Sequence, residues 1–118
     1  PVAAAALAEA VLSEFGRPGG VIAGMLRDKH PDAFFVALAP AVEALIVTSP
    51  DNPRAISADE LLLTGRTVDS QAIASLDLET SLTTARALFP EGLPIVITGS
   101  FTLVAEARER FGLALSDL

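Results

Sequence analysis

The sequence predicts an α/β domain with three layers, in which helices cover both faces of a mostly parallel, Rossmann-like sheet. Three observations support this fold class. Short apolar runs alternate with segments whose apolar residues recur every three or four positions, which is the spacing of an amphipathic helix. The apolar runs contain no polar interruption, as expected of strands that are buried on both faces. Glycine- and proline-rich turns separate many of these segments.

The 118 residues fit one domain, and 51% hydrophobic residues with a mean hydropathy of +0.51 are enough for a packed core. The net charge of −7 and the scattered basic residues argue against nucleic acid or an anionic membrane surface as a partner. The sequence has no cysteine, which excludes disulfides and cysteine-ligated metals and is compatible with a reducing compartment.

The first predicted elements are a helix and a strand. The helix runs from Pro1 to Phe15, and the proline suits its first turn. Its apolar face comprises Ala3, Leu7, Val11 and Phe15, with Ala10 beside them. The glycine-rich turn 16–20 ends the helix, and residues 21–24 are predicted to form a buried strand.

A second helix begins at Pro31 and Asp32, where the carboxylate favours the positive end of the helix dipole. Its apolar positions are Phe34, Phe35, Leu38 and Val42. Pro40 interrupts it, and residues 44–48 are predicted to form a second buried strand. The loop 49–54 that follows is rich in Pro, Asn and Asp and can be neither helix nor central strand.

A capping box begins the third helix, because Glu60 follows Ser57 by three residues ahead of an apolar run. This helix ends near Gly65, and a short strand is predicted near residues 71–75. Asp77 caps a fourth helix, which the turn 90–92 breaks. The apolar positions of the fourth helix are Leu78, Leu82, Ala85 and Phe89.

Leu93 to Thr98 is predicted as the last buried strand, with Gly99-Ser100 as its exit. The closing helix has Leu103, Val104, Ala107 and Phe111 on one face. Gly112 caps this helix, and residues 113–118 are predicted to be a loose end. Since Pro1 leads directly into a helical pattern without a methionine, we expect residues 1–118 to be a single domain from a longer protein.

Common cofactor motifs are missing from the sequence. It contains neither G-x-G-x-x-G nor G-x-x-x-x-G-K-[ST], and Gly19-Gly20 precedes a strand instead of following one. A free-standing dinucleotide-binding protein or NTPase is therefore disfavoured. The single histidine, His30, lacks a partner that would orient it as a base, so we interpret it as a solvated residue.

Two strand exits carry candidate ligand-binding residues. In the first, Arg27 and Lys29 could bind a carboxylate or a phosphate; an equally good interpretation is a surface loop with an internal Arg27–Asp28 pair. In the second, Gly99 would let backbone approach a ligand and Ser100 would offer a hydroxyl at a helix start, although a plain N-cap is favoured.

Both exits lie at the same edge of a parallel sheet, so they could face one anionic group. The loop 51–54 opens at that edge too. We interpret it chiefly as turn architecture, with Arg54 as a candidate clamp.

Three segments together resemble the C-terminal domain of bacterial folylpolyglutamate synthase/dihydrofolate synthase, a relative of the Mur ligases. They match in order and spacing: GMLRDK at 24–29, PDNPRA at 50–55 and VITGSFTLV at 96–104. In that family, an Asp-Gly-Ala-His-Asn motif followed by proline ends the strand before the first helix. Residues 1–4 are similar to its continuation, so the motif, the P-loop and the magnesium ligands of the family would lie outside this sequence.

The resemblance implies a Mur ligase C-terminal fold and part of an ATP-dependent ligase that joins L-glutamate to folate or dihydropteroate through an acyl phosphate. It implies that Arg27 binds a glutamate carboxylate, that Ser100 hydrogen-bonds the same substrate, and that Lys29 is a weaker candidate for either role. It assigns no catalytic residue, cofactor ligand or metal ligand to this sequence. ATP and Mg would be held by the N-terminal ATPase domain, the cytoplasm would be the location, and the fragment alone would be inactive.

Alternatives remain open at this point. Another Mur-type ligase would share the fold, although the loops at Arg27 and Arg54 favour the folate branch. The resemblance covers dihydrofolate synthase, folylpolyglutamate synthase and enzymes with both activities. A different class of function is a stand-alone anion-binding or protein-interaction module that uses the same strand exits without catalysis.

Overall fold

Four parallel strands form the central sheet in residues 2–111, which the computed structural model describes. The strands are β1 (Gly19–Gly24), β2 (Val42–Thr48), β3 (Ile73–Ser75) and β4 (Ile95–Gly99). The helices are α1 (Val2–Phe15), α2 (Pro31–Leu38), α3 (Ala58–Gly65), α4 (Leu78–Leu88) and α5 (Phe101–Phe111). The order across the sheet is β3-β2-β1-β4. The predicted fold class is therefore confirmed.

Two apolar clusters fill the space on the two faces of the sheet. One contains residues of α1, α2 and α3 packed on β1 and β2, with Phe35 and Leu61 fully buried. The other contains residues of α4 and α5 packed on Ile22 and Ile46. Alternate residues of β1 and β2 point to opposite clusters, so both faces of these strands are buried, as their uninterrupted apolar runs predict.

The caps that the sequence predicts for α3 and α4 form. Ser57 Oγ accepts a hydrogen bond from the Glu60 N–H at 3.2 Å, and Asp77 Oδ1 accepts one from the Thr80 N–H at 2.7 Å. The short strand predicted near residues 71–75 is the three-residue β3. The two caps depend on residues within one turn of each other, which explains why they could be predicted from the sequence.

The predicted apolar face of α1 is right at Leu7 and Val11, which pack in the core, and wrong at its two ends. Ala3 and Phe15 are exposed, and the buried residues of the helix are Ala4, Ala8 and Val11. A strict spacing of four residues drifts by about 40° around the helix at each step, whereas the buried set follows the true period. Phe15 therefore lies away from the core, with half of its surface exposed.

Two strand boundaries also differ from the prediction. Val42 was expected on the face of α2, but the 3₁₀ turn Ala39–Ala41 ends the helix earlier, and Val42 begins β2 in an extended conformation. Strand β1 begins at Gly19, because Gly19 pairs with Val42 and Gly20 pairs with Ala44 of β2. The register between the two strands shifts between these pairs.

Strand β4 is displaced and less buried than predicted. It spans Ile95–Gly99, and in the described part of the chain it pairs with β1 alone. As an edge strand it is half-exposed, and 39% of Ile95 is accessible. The predictions for Pro1, Gly112 and residues 113–118, and for the side chain of Phe111, lie outside the described residues.

The junction of β1 and β4 generates a stability prediction. Gly99 has a φ of +118°, and a Cβ on it would meet the carbonyl oxygen of Gly24 in the neighbouring strand. We expect Gly99→Ala to lower the free energy of unfolding by at least about 2 kcal/mol, measured by urea denaturation. Gly92→Ala is the matched control, since Gly92 has a φ of +81° but no atom within 4 Å of the added Cβ. That variant should lose only about 1 kcal/mol. Equal losses for the two variants would contradict the steric account.

Candidate functional site

The order in which the chain adds strands to the sheet reverses at β1, because β2 and β3 lie on one side of β1 and β4 lies on the other. From β1 the chain passes through α2 to β2 and through α3 to β3 on one face of the sheet. It then returns through α4 on the other face to β4, on the far side of β1. In open α/β sheets, ligands bind outside the carboxyl ends of the strands at this kind of switch point. Both predicted strand exits lie at this edge.

Two loops meet here: L1 (residues 25–30, after β1) and L2 (residues 49–57, after β2). Leu26 and Ala55 form an antiparallel bridge. The Arg27 N–H donates to the Arg54 carbonyl at 2.8 Å, and the Ile56 N–H donates to the Met25 carbonyl at 2.9 Å. Backbone hydrogen bonds therefore fix the two loops against each other, and with them the Cα positions of both arginines.

Among the described residues, the side chains of L1 form two ion pairs, one with α3 and one with L2. Arg27 Nη1 lies 3.2 Å from Glu60 Oε2, and Arg54 Nη2 lies 3.3 Å from Asp28 Oδ2. The internal pair of Arg27 with Asp28, which belonged to the alternative interpretation of this loop, does not form, because each side chain pairs with a partner from a different segment. All four side chains are more than half exposed. Exposed pairs of this kind contribute at most about 1 kcal/mol, and they leave both guanidinium groups accessible to an anionic ligand.

Lys29 is exposed, and its ammonium group forms no ion pair with any residue in the described part of the chain. Its backbone N–H donates to the Leu26 carbonyl at 3.1 Å, which closes L1 into a turn. His30 precedes α2 and is also exposed, and its side chain makes no capping hydrogen bond. These positions agree with a cationic loop and with a solvated histidine.

Ser100 is buried, and its Oγ accepts a hydrogen bond from the Leu103 N–H at 3.1 Å. The favoured interpretation, an N-cap, accounts for the acceptor role of this hydroxyl. The proton of the hydroxyl has no acceptor among the described residues and is left for donation. Gly99 was expected to let backbone approach a ligand, but it is the packing against Gly24 that requires the glycine.

L2 connects the two exits. Asn52 Oδ1 accepts from the Arg54 N–H at 2.8 Å, and Asn52 Nδ2 donates to Thr102 Oγ1 at 3.4 Å. Through Asn52, L2 also contacts the first turn of α5, so the loop that binds the backbone of Arg27 reaches the second strand exit. The side chains of Arg27 and Ser100 bond to different elements on opposite faces of the sheet, so a ligand that met both would have to span its carboxyl edge.

Sequence analysis missed two features of this edge. One is the contact of Glu60 with Arg27, whose partners are 33 residues apart in the chain. The other is an acidic cleft beside L2, on the side of α4 and α5. Its lining residues are Ser49, Pro50, Asp51, Leu76, Asp77 and Glu106. Neither has a local signal, because each depends on the packing of distant segments.

Two kinds of structure are absent from residues 2–111. No group of three or more His, Cys, Asp or Glu side chains there could hold a metal ion. None of the helices in that range combines the length and the apolar character that crossing a bilayer requires.

No family model matches the chain. A curated relative does: dihydrofolate synthase/folylpolyglutamate synthase of Mycobacterium tuberculosis is 32% identical in sequence. The alignment covers 95% of this chain and 26% of that protein. The chain therefore spans about a quarter of the length of this relative.

Solved structures give the same result. The chain superimposes on M. tuberculosis folylpolyglutamate synthase complexed with ADP with a TM-score of 0.83 and 25% identity. A second M. tuberculosis structure, complexed with ADP and AMPPCP, gives a TM-score of 0.79 and 30% identity. Each match covers 98% of this chain, but only 29% and 28% of the respective solved chains.

A bifunctional folylpolyglutamate synthase/dihydrofolate synthase from Yersinia pestis, complexed with AMPPNP and Mn, shares the fold with a TM-score of 0.80 at 24% identity. The resemblance carried by L1, L2 and Gly99-Ser100 is thus confirmed over nearly the whole chain. In sequence and in fold, the chain matches the C-terminal domain of the folylpolyglutamate synthase/dihydrofolate synthase family.

Proposed function

We propose that this chain is the substrate-positioning C-terminal domain of an ATP-dependent, ADP-forming amide ligase that adds L-glutamate to folate or dihydropteroate. The observation that carries the proposal is Arg27, whose backbone is fixed at the switch point of the sheet in a domain that matches this family. Its half-exposed side chain is available to a carboxylate. A solved relative with the same fold holds Mn, AMPPNP and L-glutamate, which supports glutamate as the ligand.

In the proposed reaction, ATP phosphorylates a substrate carboxylate, which gives an acyl phosphate and ADP. The amino group of glutamate attacks the acyl carbon, the amide bond forms, and phosphate and a proton are released. Arg27 would bind a carboxylate of the incoming glutamate, and the Ser100 hydroxyl would donate a hydrogen bond to the same substrate. Lys29 would be a weaker candidate for either of these two contacts with the glutamate.

None of these residues acts as a nucleophile or a general base in the proposal. Their contribution is to orient the glutamate amine and to exclude water from an intermediate that water would hydrolyse. An amine held in the attacking geometry reacts far faster than one that must diffuse to its target.

The proposal assigns ATP and Mg to the N-terminal ATPase domain of a longer enzyme, because the family resemblance implies that the P-loop and the magnesium ligands lie outside this sequence. No step through the metal is derived from this chain. That domain is the proposed partner, and the proposed location is the cytoplasm. The net charge of −7 makes nucleic acid and anionic membranes poor partners.

The competing function is a stand-alone module that binds anions or proteins through the same loops. The reading frame upstream of Pro1 separates the two hypotheses. The ligase proposal requires a glycine-rich P-loop and an Asp-Gly-Ala-His-Asn motif there, with the motif directly before Pro1. A frame that encodes neither would contradict it.

The proposed role of Arg27 predicts a selective change in substrate affinity. In the full-length enzyme, we expect Arg27→Ala to raise the KM for glutamate about 10- to 100-fold, because charge-assisted hydrogen bonds to a carboxylate are lost. The KM for ATP should change little. Steady-state kinetics with each substrate varied in turn would measure both constants.

The matched control is Arg17→Ala, which removes an exposed positive charge at the turn before β1, at the opposite edge of the sheet. It should leave both constants unchanged. An unchanged glutamate KM in Arg27→Ala would rule out the proposed role of Arg27.

The isolated 118-residue chain should hydrolyse no ATP and bind L-glutamate only weakly, because the nucleotide site is assigned to the rest of the enzyme. Isothermal titration calorimetry with each ligand and a phosphate-release assay would measure this. An ATP dissociation constant in the millimolar range or tighter would contradict the proposed division of labour.

A further inference from the structure

The carboxylate of Glu60 takes up one nitrogen of the Arg27 guanidinium. Nη1 of Arg27 lies 3.2 Å from Oε2 and 3.4 Å from Oε1 of Glu60. No residue in the described part of the chain accepts a hydrogen bond from Nε or Nη2 of Arg27. These two nitrogens form the side-on edge of the planar guanidinium, which can bind a carboxylate through two parallel hydrogen bonds. The contact with Glu60 therefore leaves one complete carboxylate-binding edge.

Both partners of this contact stand on fixed backbone. The bridge between L1 and L2 holds the main chain of Arg27, whose N–H donates to Arg54. Glu60 lies in the first turn of α3, and its own N–H donates to the Ser57 hydroxyl. The amino end of a helix also favours a negatively charged side chain at this position.

We propose that Glu60 is a positioning residue for Arg27: it holds Nη1, so that the Nε–Nη2 edge is already oriented when the glutamate carboxylate arrives. This inference rests on the proposed function, because it names a second residue of the same glutamate site. An unrestrained arginine loses the freedom of several rotatable bonds when it binds a ligand, and a partner that orders it beforehand lowers that cost.

The kinetic signature follows from this physical role. Ordering of Arg27 stabilises the bound substrate and the transition state to the same extent, so its loss raises KM and leaves kcat unchanged. The direction of the change in the glutamate KM distinguishes this positioning role from a simple charge effect. Removal of a negative charge near the site would by itself favour an anionic substrate and lower its KM.

The test uses the full-length enzyme and four variants: Glu60→Gln, Arg27→Ala, the double variant, and Asp59→Asn. Asp59 is the matched control because it is exposed, lies in the same turn of α3, and makes no contact with Arg27. We expect Glu60→Gln to raise the glutamate KM about two- to tenfold with an unchanged kcat. Asp59→Asn should leave the KM unchanged or slightly lower. In the Arg27→Ala background, Glu60→Gln should have no further effect.

The outcomes separate the two proposals. If Arg27→Ala leaves the glutamate KM unchanged, the proposed glutamate site fails, and the role of Glu60 fails with it. If Arg27→Ala raises the KM but Glu60→Gln leaves it unchanged or lowers it, only the positioning role is overturned. A rise that persists in the Arg27→Ala background would also overturn it, because the effect would then not act through Arg27.

Discussion

The backbone bridge between L1 and L2 determines where the charged groups of the candidate site lie. Two hydrogen bonds join the loops, one on either side of the paired residues Leu26 and Ala55. These bonds hold the charged loop L1 and the Pro-rich loop L2 together as one surface at the carboxyl edge of β1 and β2. Because the main chain is held in this way, the position of each arginine Cα does not depend on the ion pair that its side chain forms.

The stability of the domain and the chemistry of its edge rely on different interactions. The two apolar clusters on the faces of the sheet contain no charged side chain, and the ion pairs of L1 and L2 are all half-exposed. Weak, exposed pairs suit a site that must admit a carboxylate, because they leave part of each guanidinium open to solvent. A buried pair at the same place would bind no substrate without a large desolvation cost.

Local rules predicted the features whose partners are close in sequence. The caps at Ser57, Asp77 and Ser100 each depend on a hydroxyl or carboxylate and an N–H three residues later. The alternation of apolar runs and helical segments gave the parallel sheet. The pairing of Arg27 with Glu60, the pairing of Asp28 with Arg54, and the exposure of β4 could not be predicted in this way. They depend on which strands are neighbours and on how two loops cross, and neither leaves a pattern in a single sequence.

The most direct test of the account is a crystal structure of the full-length enzyme with L-glutamate and a non-hydrolysable ATP analogue. We expect a glutamate carboxylate about 3 Å from Nε and Nη2 of Arg27, with Nη1 still in contact with Glu60. Bound glutamate whose carboxylates all lie beyond about 4 Å from the Arg27 guanidinium would contradict it.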